Sequence, residues 1–210
     1  VSAETMTVPA PKRRVIEHEI ARVVEADVSI RYTLTGGGNR VVVTAPVDLS
    51  QLSAPIDVAT LRWDPPEFLP SAVKHGSRAA WEVAARARGV EQVILVSSEG
   101  HILESSRASV FAVVSGVLYT PPLDGRQLAG ITRGALFEAA QQCGLPIEER
   151  PLLVGEVFDE LYLTSTVREI APVVRWDDKL APGAGPVGDR LRLAFRELVA
   201  HETGRSVRTQ

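Results

Sequence analysis

The sequence predicts an α+β (mixed α/β) fold, and three observations predict it. Strand-like and helical stretches alternate irregularly along the 210 residues, unlike the even alternation of a regular parallel sheet. Gly36-Gly37-Gly38-Asn39 joins two strand-like stretches and supplies the positive φ angles of a tight hairpin turn. The character of the chain then changes after Asp64-Pro65-Pro66, which reads as a linker between a smaller front part and a larger rear part.

The elements follow in order. Pro11 to Asp27 reads as a helix, with Val15, Ile16, Ile20, Val23 and Val24 at helical spacing and a proline near its start. Ser29 to Thr35 and Arg40 to Thr44 form the hairpin strands. The triple glycine could also be a phosphate loop, but no helix follows it and a hairpin explains it fully. Val58 to Trp63 reads as a strand, Ser71 to Arg88 as a helix and Gln92 to Ser97 as a strand ended by the Glu99-Gly100 turn. Ile102-Leu103, Ser109 to Val114 and Val117 to Tyr119 are further strands. Thr132 to Cys143 is a helix stopped by Gly144. Leu161 to Ser165 and Pro172 to Arg175 are strands, and Asp189 to Glu202 closes the chain as an amphipathic helix.

Composition narrows the function classes. A hydrophobic fraction of 45% and a charged fraction of 23% suit a globular protein with a sizeable core, either one large domain or one and a half. The net charge of -3 gives no electrostatic case for nucleic acid or an anionic membrane as partner. No apolar run approaches the roughly 18 residues that span a bilayer. Cys143 is the single cysteine and cannot form an intrachain disulfide, so a cytoplasmic protein is the simplest reading. The start, Val1-Ser-Ala-Glu-Thr, reads neither as a signal peptide nor as a domain start.

Four segments carry the chemistry: Ala72-Val-Lys-His-Gly-Ser-Arg78, Gly100-His-Ile-Leu-Glu-Ser-Ser-Arg-Ala-Ser-Val-Phe111, Thr120-Pro-Pro-Leu-Asp-Gly-Arg-Gln-Leu-Ala-Gly-Ile-Thr-Arg133 and Leu163-Thr-Ser-Thr-Val-Arg-Glu-Ile-Ala-Pro-Val173. In this order and spacing they resemble the fold-type IV pyridoxal 5'-phosphate (PLP) enzymes, the class IV aminotransferases and 4-amino-4-deoxychorismate lyases. The resemblance runs from about residue 1 to residue 200. It implies a two-domain enzyme: residues 1-66 as the remainder of a small N-terminal α/β domain and linker, and 67-210 as the larger PLP-binding domain. It also implies a homodimer acting on a small amino substrate.

Site residues follow from the same resemblance. Lys74 is the lysine that carries the cofactor and moves the substrate proton; a lysine that attacks an aldehyde wants a desolvated, electropositive pocket. By itself Lys74 would read as a surface lysine opening a helix. The other two lysines, Lys12 and Lys179, sit in charged stretches. Glu104 matches the glutamate that keeps a proton on the pyridine nitrogen, although strand alternation alone leaves an exposed glutamate open. Gly130, Ile131 and Thr132 precede a helix, where backbone N-H groups and a hydroxyl can converge on the phosphate; an ordinary glycine before an N-capping threonine is the alternative. Ser165 and Thr166 match the second phosphate-contacting loop, or else a polar strand end.

The chain also departs from the family pattern. Ser77 and Ser109 stand where relatives often have Asn. Residues 1-11 resemble the stretch after the family's first strands and helix, so those elements, with an arginine for the phosphate, are expected upstream of residue 1. The resemblance leans toward the lyase, which eliminates pyruvate to leave 4-aminobenzoate for folate synthesis, on Lys74-His75 with Arg78 and on the Leu128-Arg133 and Leu163-Arg168 segments. The alternative is an amino-acid aminotransferase of branched-chain or D-amino-acid type. More remote is a relative without PLP that serves as an interaction protein.

Overall fold

The computed structural model describes residues 10-23, 28-66 and 71-204. The chain divides into two compact units, residues 1-50 with Val73-His75, and residues 51-72 with 76-210.

In the first unit, helix α1 (Arg13–Ala21) is followed by a hairpin of β1 (Val28–Leu34) and β2 (Arg40–Pro46). The strands pair antiparallel from Val28 opposite Pro46 to Leu34 opposite Arg40. Gly38 takes φ 80° in the turn, and Thr35 N-H donates to Asn39 O at 2.9 Å; this is the hairpin the glycine run predicts. Arg40 and Tyr32 both donate to the Glu19 carboxylate, tying the hairpin to α1. The helix expected over 11-27 spans Arg13–Ala21, and its residues 24-27 lie outside the described residues.

The second unit is one ten-stranded sheet with helices on its outer faces. In chain order it contains β3 (Ile56–Arg62), α2 (Ala79–Ala87), β4 (Gln92–Val96), β5 (His101–Ser105), β6 (Ser109–Val114), β7 (Val117–Thr120), α3 (Ile131–Gln142), β8 (Ile147–Glu149), β9 (Leu152–Leu153), β10 (Glu160–Ser165), β11 (Glu169–Trp176), β12 (Lys179–Leu180) and α4 (Pro186–Thr203). The strand order is β8-β7-β6-β10-β11-β3-β4-β5-β9, with β12 on β11. β3 pairs parallel with both β11 and β4, and most other pairs are antiparallel.

The apolar runs of these strands are continuous because both faces are covered. Ile94, Val96, Ile102, Val110, Ala112, Leu161, Leu163, Ala171 and Val173 form one inner cluster. Their alternate neighbours face outward: Val93, Leu95 and Leu103 pack under Trp81 and Ala85 of α2. Phe111, Val113 and Tyr162 pack under Leu136, Ala139 and Leu191 of α3 and α4. Tyr162 is wholly buried, and its hydroxyl donates to Glu160, whose carboxylate accepts the N-H groups of Val187 and Gly188 at the start of α4.

One expectation needs revising. The helix expected from Ser71 begins only at Ala79, and residues 71-78 form turns, because Gly76-Ser77 favours bends and Arg78 N-H closes onto Gly76 O at 2.9 Å. The first compact unit ends at Ser50 and takes in Val73–His75, and β3 is a central strand of the large sheet.

Candidate active site

Glu104 sits on β5 two residues after Ile102, so alternation turns it to the inner face of the sheet. It is only 8% exposed. Burial pushes its carboxyl up to about 7, against the opposing pull of the Leu128 N-H and the Arg78 charge. The Leu128 N-H donates to Glu104 Oε2 at 3.2 Å. Glu104 is therefore an interior carboxyl, not an exposed strand glutamate.

Arg78 is fixed by donating to Ser106 O at 2.9 Å and by lying 5.3 Å from the Trp81 ring centroid. Leu128 belongs to the 121-130 connection, which Arg133 braces by donating to Pro121 O at 3.2 Å while it pairs with Glu149. Glu104, Ser109, Gln127, Leu128 and Arg133 line one narrow cavity.

Two residues past Leu128 the chain enters α3. Gly130 is the N-cap, in extended conformation and without a side-chain cap, so Thr132 lies inside the helix and does not cap it. The first amides of α3 have no helical acceptor of their own and point along the axis beyond its start. Ile131 is 87% exposed, and Thr132 is buried. A Cβ on Gly130 would stand 3.0 Å from the Ser109 hydroxyl, so the helix start rests directly on β6. Ser109 pairs across the ladder with Thr164 of β10, and Ser165 follows.

Register therefore gathers the α3 amides, Ser109, Thr164 and Ser165 at one end of the sheet. The 166-168 loop is pinned there. Arg168 N-H donates to Ser165 Oγ at 3.3 Å, the Arg168 side chain pairs with Glu91, and Ser53 N-H donates to Arg168 O at 3.0 Å. Glu169 closes the turn at φ 53°, a strained angle for a non-glycine residue. Thr166 is exposed at its tip.

Lys74 lies in the first unit, solvent-exposed, beside buried Val73. Of the residues singled out from sequence, the second unit lines its narrow cavity with Glu104 and sets Gly130 against Ser109, whose cross-strand partner Thr164 precedes Ser165 and Thr166. Sequence reasoning overlooked Thr164 and the Leu128 amide and counted Ser109 only as a departure. A larger open groove of about 770 Å³ on the outer side of α3, lined by Phe137, Glu138 and Leu145, holds none of them.

The chain belongs to the amino-transferase class IV family, whose family model matches residues 2-176. It is 33% identical over 159 residues to the branched-chain-amino-acid aminotransferase of Escherichia coli (strain K12), covering 70% of this chain and 51% of that protein. The chain thus spans about half the length of the curated relatives it matches first. The crystal structure of a putative branched-chain amino acid aminotransferase from Thermotoga maritima superposes with a TM-score of 0.82 at 28% identity, over 99% of this chain and 80% of that one. A hypothetical aminotransferase from Mycobacterium tuberculosis in PLP-bound form gives 0.80 at 26% identity, over 96% and 81%. No helix among the described residues is long and apolar enough to cross a membrane.

Proposed function

We propose that this chain is a PLP-dependent class IV aminotransferase that takes branched-chain amino acids. The observation that carries the reading is Glu104, a buried carboxyl raised to about 7 and connected by three residues to the anion-facing start of α3. The residues fit the cofactor at both ends. Glu104 has little else to neutralise it, and a protonated ring nitrogen would supply the missing charge. The first amides of α3, which have no helical acceptor of their own, suit a phosphate.

When bound, PLP supplies an aldehyde that captures the amino group and a ring that accepts the electrons left by α-proton removal. Glu104 would hold the proton at the ring nitrogen, and Gly130, Ile131, Thr132, Ser165 and Thr166 would hold the phosphate. Lys74 would anchor the aldehyde and, once displaced by the substrate amine, its Nζ would carry the proton taken from the α-carbon.

The named relatives favour the aminotransferase over the lyase, because the E. coli and T. maritima proteins both carry branched-chain aminotransferase names. A second copy of the chain is the expected partner. Borohydride reduction of the PLP-loaded protein, followed by peptide mapping, should place the label on Lys74. A label on Lys12 or Lys179 would refute its assignment.

A further inference from the structure

Thr164 carries a buried hydroxyl that the assignments above do not use. It is 2% exposed, and its Oγ1 has no hydrogen-bond partner. Leaving such a group unpaired is unfavourable, so a buried hydroxyl without a partner needs a reason. The neighbouring pair on the same face, Phe111 with Tyr162, packs under α3 and α4. Two residues along the ladder, Ser109 and Thr164 are direct cross-strand partners, so their side chains stand side by side on that helix-covered face.

The Ser109 hydroxyl lies beneath Gly130, against the place where a Cβ would be. Thr164 therefore sits under the start of α3, where unpaired amides converge. Ser165 ends the strand directly after it. A valine would fill the Thr164 position with the same shape and no unpaired atom, so packing alone does not account for a threonine.

We infer that Thr164 is an additional phosphate-binding residue, whose hydroxyl donates to an anion held at the start of α3 from the sheet side. The inference rests on the PLP reading and extends it to a residue that reading leaves idle. The hydroxyl is a donor held in reserve: unfavourable in the free protein, satisfied when a phosphate occupies the helix start.

Thr164→Val tests this, with Thr164→Ser as the rescue. PLP, pyridoxal (which lacks the phosphate) and inorganic phosphate are titrated against the three proteins, and the unfolding midpoint of each cofactor-free protein is recorded. Thr164→Val should leave the free protein as stable as the parent or more so. It should weaken PLP about tenfold or more, the range for a hydrogen bond to a charged group, and leave pyridoxal unchanged. Thr164→Ser should restore most of the PLP affinity.

If the parent binds PLP and Thr164→Val binds it equally well, the inference is overturned and the PLP reading stands. If Thr164→Val weakens pyridoxal and PLP alike, the hydroxyl acts through general structure, and the inference is again overturned. If the parent binds inorganic phosphate in a Thr164-dependent way but not PLP, the anion site stands and the PLP reading falls. Binding of neither ligand by the parent overturns both.

Discussion

Replacing Glu104 with Gln separates the energetic burden of this carboxyl from its function. A carboxyl held at about 7 instead of its ordinary 4.5 carries a penalty on its ionised form of about 3 kcal/mol. Because the folded value is raised, the folded protein binds the extra proton between about pH 4.5 and 7. Stability from this group is therefore intact below that window and is lost as pH rises through it. Gln keeps an acceptor for the Leu128 N-H and removes the charge. In cofactor-free protein, Glu104→Gln should thus be more stable than the parent by about 3 kcal/mol at pH 8, and by less than about 1 kcal/mol at pH 5. Urea unfolding at both pH values measures the difference. With PLP bound the order should reverse, because the ionised carboxylate then faces a protonated ring nitrogen. An advantage that is the same at both pH values, or a Gln variant less stable at pH 8, would refute the reasoning.

Gly188→Ala should destabilise the fold by about 1-3 kcal/mol, the overpacking range, because a Cβ there would stand 2.0 Å from the Tyr162 hydroxyl; thermal unfolding measures it, and an unchanged midpoint would show that α4 shifts freely. Light scattering should give twice the 22.7 kDa chain mass at micromolar concentration, and a monomer in active protein would contradict the proposed dimer.

Local chemistry was legible in the sequence; long-range register was not. The Gly36-Asn39 turn and the helix ending before Gly144 follow from backbone preferences over a few residues, and both appear where expected. Glu104 could be located from its spacing after Gly100, but its burial could not, since alternation permits either face. Thr164 against Ser109 joins residues from two distant motifs through strand register, and Leu128 against Glu104 does so through a loop. No local pattern announces either contact. β3 was readable as a strand, yet its place between β11 and β4 depends on parallel pairing with distant chain. The two-residue strands β9 and β12 are too short for any periodicity to register. The helical composition of 71-78 lost to Gly76 and Ser77, which bend the segment that carries Lys74.

The central claim is an aminotransferase, and a single-turnover product assay tests it most directly. PLP-loaded protein mixed with leucine should lose its visible cofactor band and release one keto acid per cofactor converted to the pyridoxamine form; 2-oxoglutarate should then restore the band and yield glutamate. Release of 4-aminobenzoate and pyruvate from aminodeoxychorismate, with no keto acid from leucine, would contradict the account.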